Sequence, residues 1–273
     1  LYMKTLAELQ TDKSTFSIGQ ALGDGWNLVS KNLGYYILGA IVTAAILFGV
    51  GLIPIVGDIA TNLILSPCLM GGAVYVSWRI SNGKGWTDFG DMFKGFNFLQ
   101  PLAISTLIQG FISFALVLLV FFNFLPELID IFKLSQNADM FTKQEQIGNA
   151  FLDLIRNSKF VVSLLLLMVA LLFISVLWAF KTHFIIIYKM QAWPAMEMSR
   201  RIARHNFFQL LGYFILMGII LIISAIPCGI GLLFTLPWMI GATYSAFAQI
   251  TQCDRSNEIN EEMFDFMADK KDN

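Results

Sequence analysis

The sequence predicts an all-α fold, a polytopic integral membrane helical bundle with about six transmembrane helices. Composition is the first reason, because 56% of the 273 residues are hydrophobic and only 14% are charged, against about 25% charged residues in an average soluble domain. The second reason is that long segments lack charge altogether. Residues 164–176 (LLLLMVALLFISV) are apolar on every helical face, whereas helices of soluble proteins usually keep a polar face.

The charge-free segments define the crossings one by one. A transmembrane helix needs about 20 apolar residues, and the segment from residue 205 to residue 253 is long enough for two. The predicted crossings are residues 35–56, 59–79, 99–124, 160–181, 207–226 and 229–250. They form a single helical membrane domain over residues 1–252, and an acidic cytoplasmic tail over residues 253–273 follows it.

The basic residues predict the orientation of the chain. Fourteen of the 18 lysines and arginines fall in the two terminal segments and in the links after the second and fourth crossings. The other four fall in the 125–159 loop, on the opposite side. Under the positive-inside rule, both termini lie in the cytoplasm. The predicted location is the bacterial cytoplasmic (inner) membrane.

Two cytoplasmic segments predict amphipathic helices. Residues 17–32 begin with Ser17 and Gln20, which have the spacing of a capping box. One stripe of this helix carries Ile18, Leu22, Trp26 and Val29. In residues 86–96, one face carries Trp86, Phe89, Phe93 and Phe96. Helices of this kind lie in the bilayer interface or cap the bundle, and the sequence does not distinguish the two positions.

A third amphipathic segment begins at Pro194, a favourable first helical residue. It contributes to a basic cluster, which consists of Lys181, Lys189, Arg200, Arg201 and Arg204. Basic residues near a membrane surface attract anionic lipid headgroups at about 1 kcal/mol each, so these five are the candidate headgroup ligands. The alternative is ordinary anchoring by positive charge and neighbouring aromatic residues.

Matched features predict an internal repeat. Residues 32–39 resemble residues 212–218, and Ile53-Pro54 recurs as Ile226-Pro227. Residues 66–75 (SPCLMGGAVY) are echoed by residues 236–244 (LPWMIGATY). Each copy consists of an amphipathic helix, a crossing, a short turn with proline and a second crossing. Because both copies enter from the same side, the predicted repeat is parallel, with its axis along the membrane normal.

The repeat contains a proline inside each second crossing. Pro67 and Pro237 each remove one backbone hydrogen bond, so both are candidate helix-kink residues. Kinks in membrane proteins can line a cavity. The alternative is that they only shape the bundle.

The sequence predicts no catalytic, cofactor-binding or metal-binding residues. Its two histidines, His183 and His205, lie near the cytoplasmic interface, and the three cysteines lack metal-ligand spacing. No predicted crossing carries a pair of carboxylates. Proton-coupled transporters usually hold an ionisable group inside the bundle, and here such groups fall only at helix ends. We therefore expect a protein that is not an enzyme.

Three segments carry a resemblance to a known family. Residues 17–32, 89–96 (FGDMFKGF) and 187–206 resemble a broad family of multi-helix bacterial membrane proteins of unknown function. That family is similar to the membrane domain attached to some glycerophosphodiester phosphodiesterases. The resemblance covers most of residues 15–252, and Ala195 with Ser199 is its best local match. It implies an accessory role in lipid or envelope biology and no phosphodiesterase activity, because nothing resembles the catalytic domain.

The expected function is that of a scaffold, partner-modulating or lipid-binding component of the cell envelope. The expected partners are membrane lipids, including anionic ones, and a protein partner or a second copy of the chain, but not nucleic acid. The alternative is a transporter or channel for a small amphipathic solute, which requires a cavity between the repeat copies. An enzyme would require a polar, water-accessible pocket around His183.

Overall fold

The computed structural model describes residues 14–86, 88–137, 143–227 and 229–253, together with Leu9. These residues are largely helical, and no β-strand occurs among them, which confirms the predicted all-α class. A 3-10 helix spans Phe89–Phe98. The α-helices are α1 Ile18–Ser30, α2 Leu33–Gly51, α3 Val56–Ser81, α4 Leu99–Asn123, α5 Leu125–Asn137, α6 Lys143–Arg156, α7 Ser158–Leu177, α8 Lys181–Ile187, α9 Ala192–His205, α10 Phe207–Ala225 and α11 Leu232–Thr251.

Within the described residues, five helical segments are long and apolar enough to cross a membrane. They are Leu33–Gly51, Val56–Ser81, Phe89–Asn123, Ser158–Ile187 and Phe207–Ala225. Large apolar side chains on these segments point outward, and Phe48, Phe111 and Ile222 are each at least 70% exposed. Such surfaces are unfavourable in water and favourable against lipid tails. The chain is therefore a polytopic helical membrane protein.

The sixth predicted crossing, residues 229–250, forms α11, which has the length of a crossing at 20 residues. It is not among the five apolar segments of the described chain. The reason is its polar content, because Thr243, Ser245 and Thr251 lie along it and are buried inside the protein. Five segments of the described chain are thus long and apolar enough to cross a membrane, and the number of crossings stays a prediction.

The segment predicted as a loop, residues 125–159, is helical over much of its length. It contains α5 and α6, which have apolar residues on one side and charged residues on the other. These helices belong to one compact unit, Ile108–Ser175. Inside that unit the rings of Phe124 and Phe160 pack edge to face at 5.0 Å. The second compact unit comprises the residues up to Leu107 and those from Val176 onward, and it holds every candidate site residue.

The two prolines have different helical settings. Pro67 follows a π-helical turn, Thr61–Leu65, in which the amide of Ser66 donates to the carbonyl of Thr61. This wider turn accommodates a proline ring that would otherwise clash with the carbonyl four residues earlier. Pro237 lies inside α11 without an assigned π turn. Neither proline has an N–H for a regular α-helical hydrogen bond, and the kink at each position stays a prediction.

Helix α1 differs from its prediction in two details. The side chain of Ser17 makes no capping hydrogen bond; instead, its amide donates to Oε1 of Gln249 at 2.9 Å. The buried stripe consists of Ala21, Gly25 and Val29, while Trp26 is 42% exposed. The stripe is rotated because a close helix contact selects the smallest residues, which a search for large apolar side chains overlooks.

Two junctions in the larger unit depend on glycine. In the first, Gly25 of α1 lies directly against the backbone of Ala242 in α11. In the second, Gly72 of α3 lies against the carbonyl of Met92, and Gly95 of the 3-10 helix lies against the carbonyl of Cys68. An added Cβ at any of these glycines would overlap backbone atoms. The small residues that follow Pro67 in α3 and Pro237 in α11 therefore mark two grooves, one occupied by the 3-10 helix and the other by α1.

Candidate functional site

An apolar cavity of about 360 Å³ lies within the larger compact unit. This volume falls in the range of about 300–1,000 Å³ that is typical of small-molecule sites. Its walls come from three helices and from Trp86 and Met92 at the 3-10 helix. The residues that matter below are Ala40 and Thr43 of α2, Leu69 and Met70 of α3, and Leu236 and Pro237 of α11.

The cavity separates the two predicted repeat copies. Helices α2 and α3 belong to the first copy, and α11 belongs to the second. Of the two kink candidates, Pro237 lines the cavity, and its partner by sequence, Pro67, does not. The cavity that the transporter alternative requires is therefore present between the copies.

Two polar side chains of the cavity wall bond within the protein. The hydroxyl of Tyr36 lies 3.0 Å from Oγ of Ser77, and the ring of Tyr36 packs edge to face on Trp86 at 5.2 Å. The indole N–H of Trp86 donates to the carbonyl of Asp88 at 2.9 Å. Ser66 also lines the cavity and is exposed. Thr43 differs from these three, because its hydroxyl is buried and has no hydrogen-bond partner in the described part of the chain.

A second tyrosine contact of the same kind joins α10 and α11. The hydroxyl of Tyr213 in α10 lies 2.8 Å from Oγ1 of Thr243 in α11 and 3.3 Å from the carbonyl of Met239. In both contacts the partner hydroxyl also donates to the carbonyl four residues earlier: Ser77 to Ala73 at 2.8 Å and Thr243 to Met239 at 2.7 Å. Ser77 and Thr243 do not lie at matched positions after Pro67 and Pro237, so the two contacts are alike in kind but are not copies of each other.

The predicted basic cluster is divided by contacts inside the protein. Nζ of Lys181 donates to the carbonyl of Ser105 at 3.3 Å, which engages this ammonium with α4. Arg200 makes two hydrogen bonds to the carboxylate of Glu197, at 2.7 and 2.8 Å, and Arg201 makes one at 3.0 Å. Lys181, Arg200 and Arg201 are therefore engaged with partners of their own chain.

The basic side chains of α9 lower the pKa of Glu197, which lies on the same helix. Hydrogen bonds from Arg200 and then Arg201 lower the pKa of Glu197 to about 2, so this group is ionised at neutral pH. Burial lowers the pKa of Lys189, the residue between α8 and α9. Arg204 lies on the exposed side of α9, the side that also carries Trp193, 66% exposed. The outer face of α9 thus keeps a net positive charge beside an exposed indole.

His183 lies in an aromatic environment and not in a polar pocket. Its ring is 5.0 Å from that of Phe247 and 5.8 Å from that of Phe180, and it is 1% exposed. Neither ring nitrogen has a hydrogen-bond partner among the described residues. The polar, water-accessible pocket that an enzyme would require at His183 does not occur at this position.

Sequence reasoning missed two buried polar groups. Asp91, 4% exposed, forms an ion pair with Arg79 at 2.9 Å and joins the 3-10 helix to the end of α3. Ser199 of α9 accepts from the amide of Phe180 at 3.1 Å and donates to the carbonyl of Leu177 at 2.9 Å, which stabilises the break between α7 and α8. Ser199 is part of the best local match to the family that the sequence resembles, and this match was the one sequence feature that pointed to it.

Comparison with known proteins identifies no relative of this chain. No protein-family description matches the chain, and no curated protein or solved structure matches it. The resemblance to the membrane domain of glycerophosphodiester phosphodiesterases stays a prediction. Within the described residues, no group of three or more histidine, cysteine, aspartate or glutamate side chains is placed to hold a metal ion.

Proposed function

We propose that this chain is a non-enzymatic, lipid-binding protein of the bacterial cytoplasmic membrane, with both termini in the cytoplasm. The apolar cavity between the repeat copies is the single observation that carries the proposal. Its wall belongs to membrane-crossing helices and to α11, so lipid tails are the molecules most concentrated around it. Burial of apolar surface favours their entry by about 25 cal/mol per Å².

The mouth of the cavity supports entry from the bilayer. Ala44, Met70 and Leu236 line the cavity and are exposed. Trp86 and Met92 are buried at its inner end. A chain can therefore enter between α2, α3 and α11 without crossing a polar surface.

A pair of substitutions on α2 tests the proposal. Ala40 lines the cavity, whereas Ala45 is exposed on the same helix and lies outside the cavity wall. We expect Ala40→Phe to fill the cavity, so that the purified protein retains several-fold less lipid by mass spectrometry. Ala45→Phe should retain the wild-type amount. Equal lipid content in both variants contradicts the proposal.

Headgroup binding is the second part of the proposal, and it rests on the outer face of α9. Because Arg200 and Arg201 are paired with Glu197, we assign the larger share to Arg204. Arg204→Glu should lower the enrichment of phosphatidylglycerol over phosphatidylcholine around the protein in mixed-lipid nanodiscs. Arg200→Gln should have a smaller effect. The reverse order would refute this assignment.

A transporter for a small amphipathic solute is the second candidate function. It is favoured by one observation, the position of Pro237 on the cavity wall, where a broken hydrogen-bond ladder allows α11 to bend. Proteoliposomes should then move a fluorescent lipid between leaflets, and Pro237→Ala should slow that movement. No movement above protein-free liposomes would eliminate this candidate.

A further inference from the structure

The buried hydroxyl of Thr43 lacks a hydrogen-bond partner among the described residues, which is unusual for a buried polar group. Within helices, threonine commonly donates to the carbonyl four residues earlier, as Thr243 does to Met239 at 2.7 Å. Thr43 is a residue of the cavity wall, and its Oγ1 makes no such bond and has no other partner among the described residues. A buried polar group without a partner destabilises a protein. A ligand that supplies the partner would remove this penalty, so the position favours a ligand with a hydrogen-bonding group.

The other residues of the cavity wall indicate that the hydrogen-bonding group of the ligand is uncharged. None of the residues that line the cavity is Asp, Glu, Lys, Arg or His. A charged ligand group would lie there without a counter-ion, which is costly in an apolar environment. The hydroxyl of Tyr36 and the N–H of Trp86 already have partners, and Ser66, the other polar side chain of the wall, is exposed. The complementary ligand is therefore uncharged and bears few polar groups.

We infer that the cavity binds a neutral lipid, an apolar chain that carries a hydroxyl or carbonyl group, and that Thr43 hydrogen-bonds to that group. This inference rests on the proposed lipid-binding function. It narrows the ligand class, because ionised fatty acids and lipids whose charged headgroup would enter the cavity are excluded. The volume of about 360 Å³ fits part of such a lipid, with the remainder extending through the exposed mouth into the bilayer.

The test uses the full-length protein in detergent and tritium-labelled 1-hexadecanol in a scintillation proximity assay. Unlabelled hexadecane and hexadecanoate serve as competitors. We expect wild-type protein to bind hexadecanol about tenfold more tightly than hexadecane, because one buried hydrogen bond contributes about a factor of ten. Hexadecanoate at pH 9 should compete more weakly than hexadecanol.

Three variants isolate the hydroxyl. Thr43→Val keeps the side-chain shape and should weaken hexadecanol binding about tenfold without changing hexadecane competition. Thr43→Ser should restore the binding. Thr61→Val is the matched control, since Thr61 is also buried at Oγ1 without a partner but does not line the cavity; it should bind as wild type does.

The outcomes separate this inference from the proposed function. If hexadecanol and hexadecane bind equally and Thr43→Val changes nothing, the cavity holds a chain but the assignment of Thr43 is wrong. Tighter binding of hexadecanoate would also overturn the neutral ligand. If neither chain binds and Ala40→Phe leaves the retained lipid unchanged, the proposed function itself fails.

Discussion

Helices α3 and α11 are the matched second crossings of the predicted repeat, and they use the same surface for different partners. Each carries a proline and, about one helical turn later, two adjacent small residues. These small residues form a groove in which another helix packs. On α3 the partner is the 3-10 helix that follows in the chain. On α11 the partner is α1, which lies more than 200 residues earlier in the sequence.

This difference shows that the proline and the two small residues predict a groove on the helix but do not predict which helix packs in it. A short link after α3 brings the 3-10 helix into its groove, whereas the chain after α11 offers no equivalent helix in its described part. Helix α1 takes that place, supported by the indole N–H of Trp238, which donates to the carbonyl of Leu22 at 2.9 Å. The two copies are thus interlocked, because an element of the first packs on the second.

The largest expected effect tests the polar contact at the α3 junction. Asp91→Asn removes the carboxylate charge that pairs with the Arg79 guanidinium, which is 18% exposed. Breaking a buried pair costs about 3–5 kcal/mol, so the free energy of unfolding in detergent should fall by that order. Asp130→Asn is the control, because the Lys133–Asp130 pair is exposed and such pairs contribute less than about 1 kcal/mol. Equal losses in the two variants would contradict a buried role for Asp91.

The next effect tests whether the two grooves are equivalent. Gly72→Ala places a Cβ on the carbonyl of Met92, and Gly25→Ala places one on the backbone of Ala242. Because backbone atoms cannot easily move away, each should cost about 3 kcal/mol in unfolding free energy. Gly49→Ala, with open space around its Cβ, should cost nothing. A loss confined to Gly72→Ala would show that α1 docks loosely on α11.

A smaller effect tests the tyrosine contacts of the two copies. Tyr36→Phe removes the buried hydrogen bond to Ser77, and Tyr213→Phe removes the hydroxyl that bonds to Thr243 and to the carbonyl of Met239. Ser77 and Thr243 keep their backbone acceptors. Tyr36→Phe should lower the free energy of unfolding by about 1 kcal/mol, and Tyr213→Phe by at least as much. Tyr35→Phe, at an exposed position, should be neutral. A neutral Tyr213→Phe would contradict a stabilising role for its hydroxyl.

The smallest effect concerns α9, the counterpart of α1 in the second copy. Because the pKa of Glu197 is lowered in the folded state from 4.5 to about 2, its stabilising contribution is present above pH 4.5 and disappears as the pH falls towards 2. Glu197→Gln should therefore unfold slightly more easily than wild type at pH 7 and equally near pH 2. Thermal unfolding at both pH values measures this difference. A constant difference across that pH range would exclude the carboxylate as its source.

Patterns of large side chains were predictable from the sequence. The spacing of Trp86, Phe89, Phe93 and Phe96 predicted one aromatic face, and successive rings in that series lie 6.2–6.3 Å apart. The spacing of these residues fits one face of an α-helix with 3.6 residues per turn, whereas Phe89–Phe98 forms a 3-10 helix with three residues per turn. The rings contact one another in series although the helix type differs. The five long apolar segments were also predictable, because the absence of charged residues is a local property of the sequence.

Contacts between distant residues were not predictable. The sequence indicated no role for Gly25, because its role appears only when Ala242 is opposite to it. It indicated none for Asp91 either, because Arg79 lies beside it only in the folded chain. Thr43 carries no sequence signal, since its significance is a missing hydrogen bond in an apolar wall. These features depend on packing between elements, which periodicity does not encode.

The central claim, that a lipid chain occupies the cavity between α2, α3 and α11, is tested most directly by an experimental structure of the protein in lipid nanodiscs. The account predicts elongated density between Met92 and Ile240 that reaches the bilayer past Met70. The same density should be absent in the Ala40→Phe variant. A cavity filled by water or closed by movement of α11 in the wild-type protein would contradict the account.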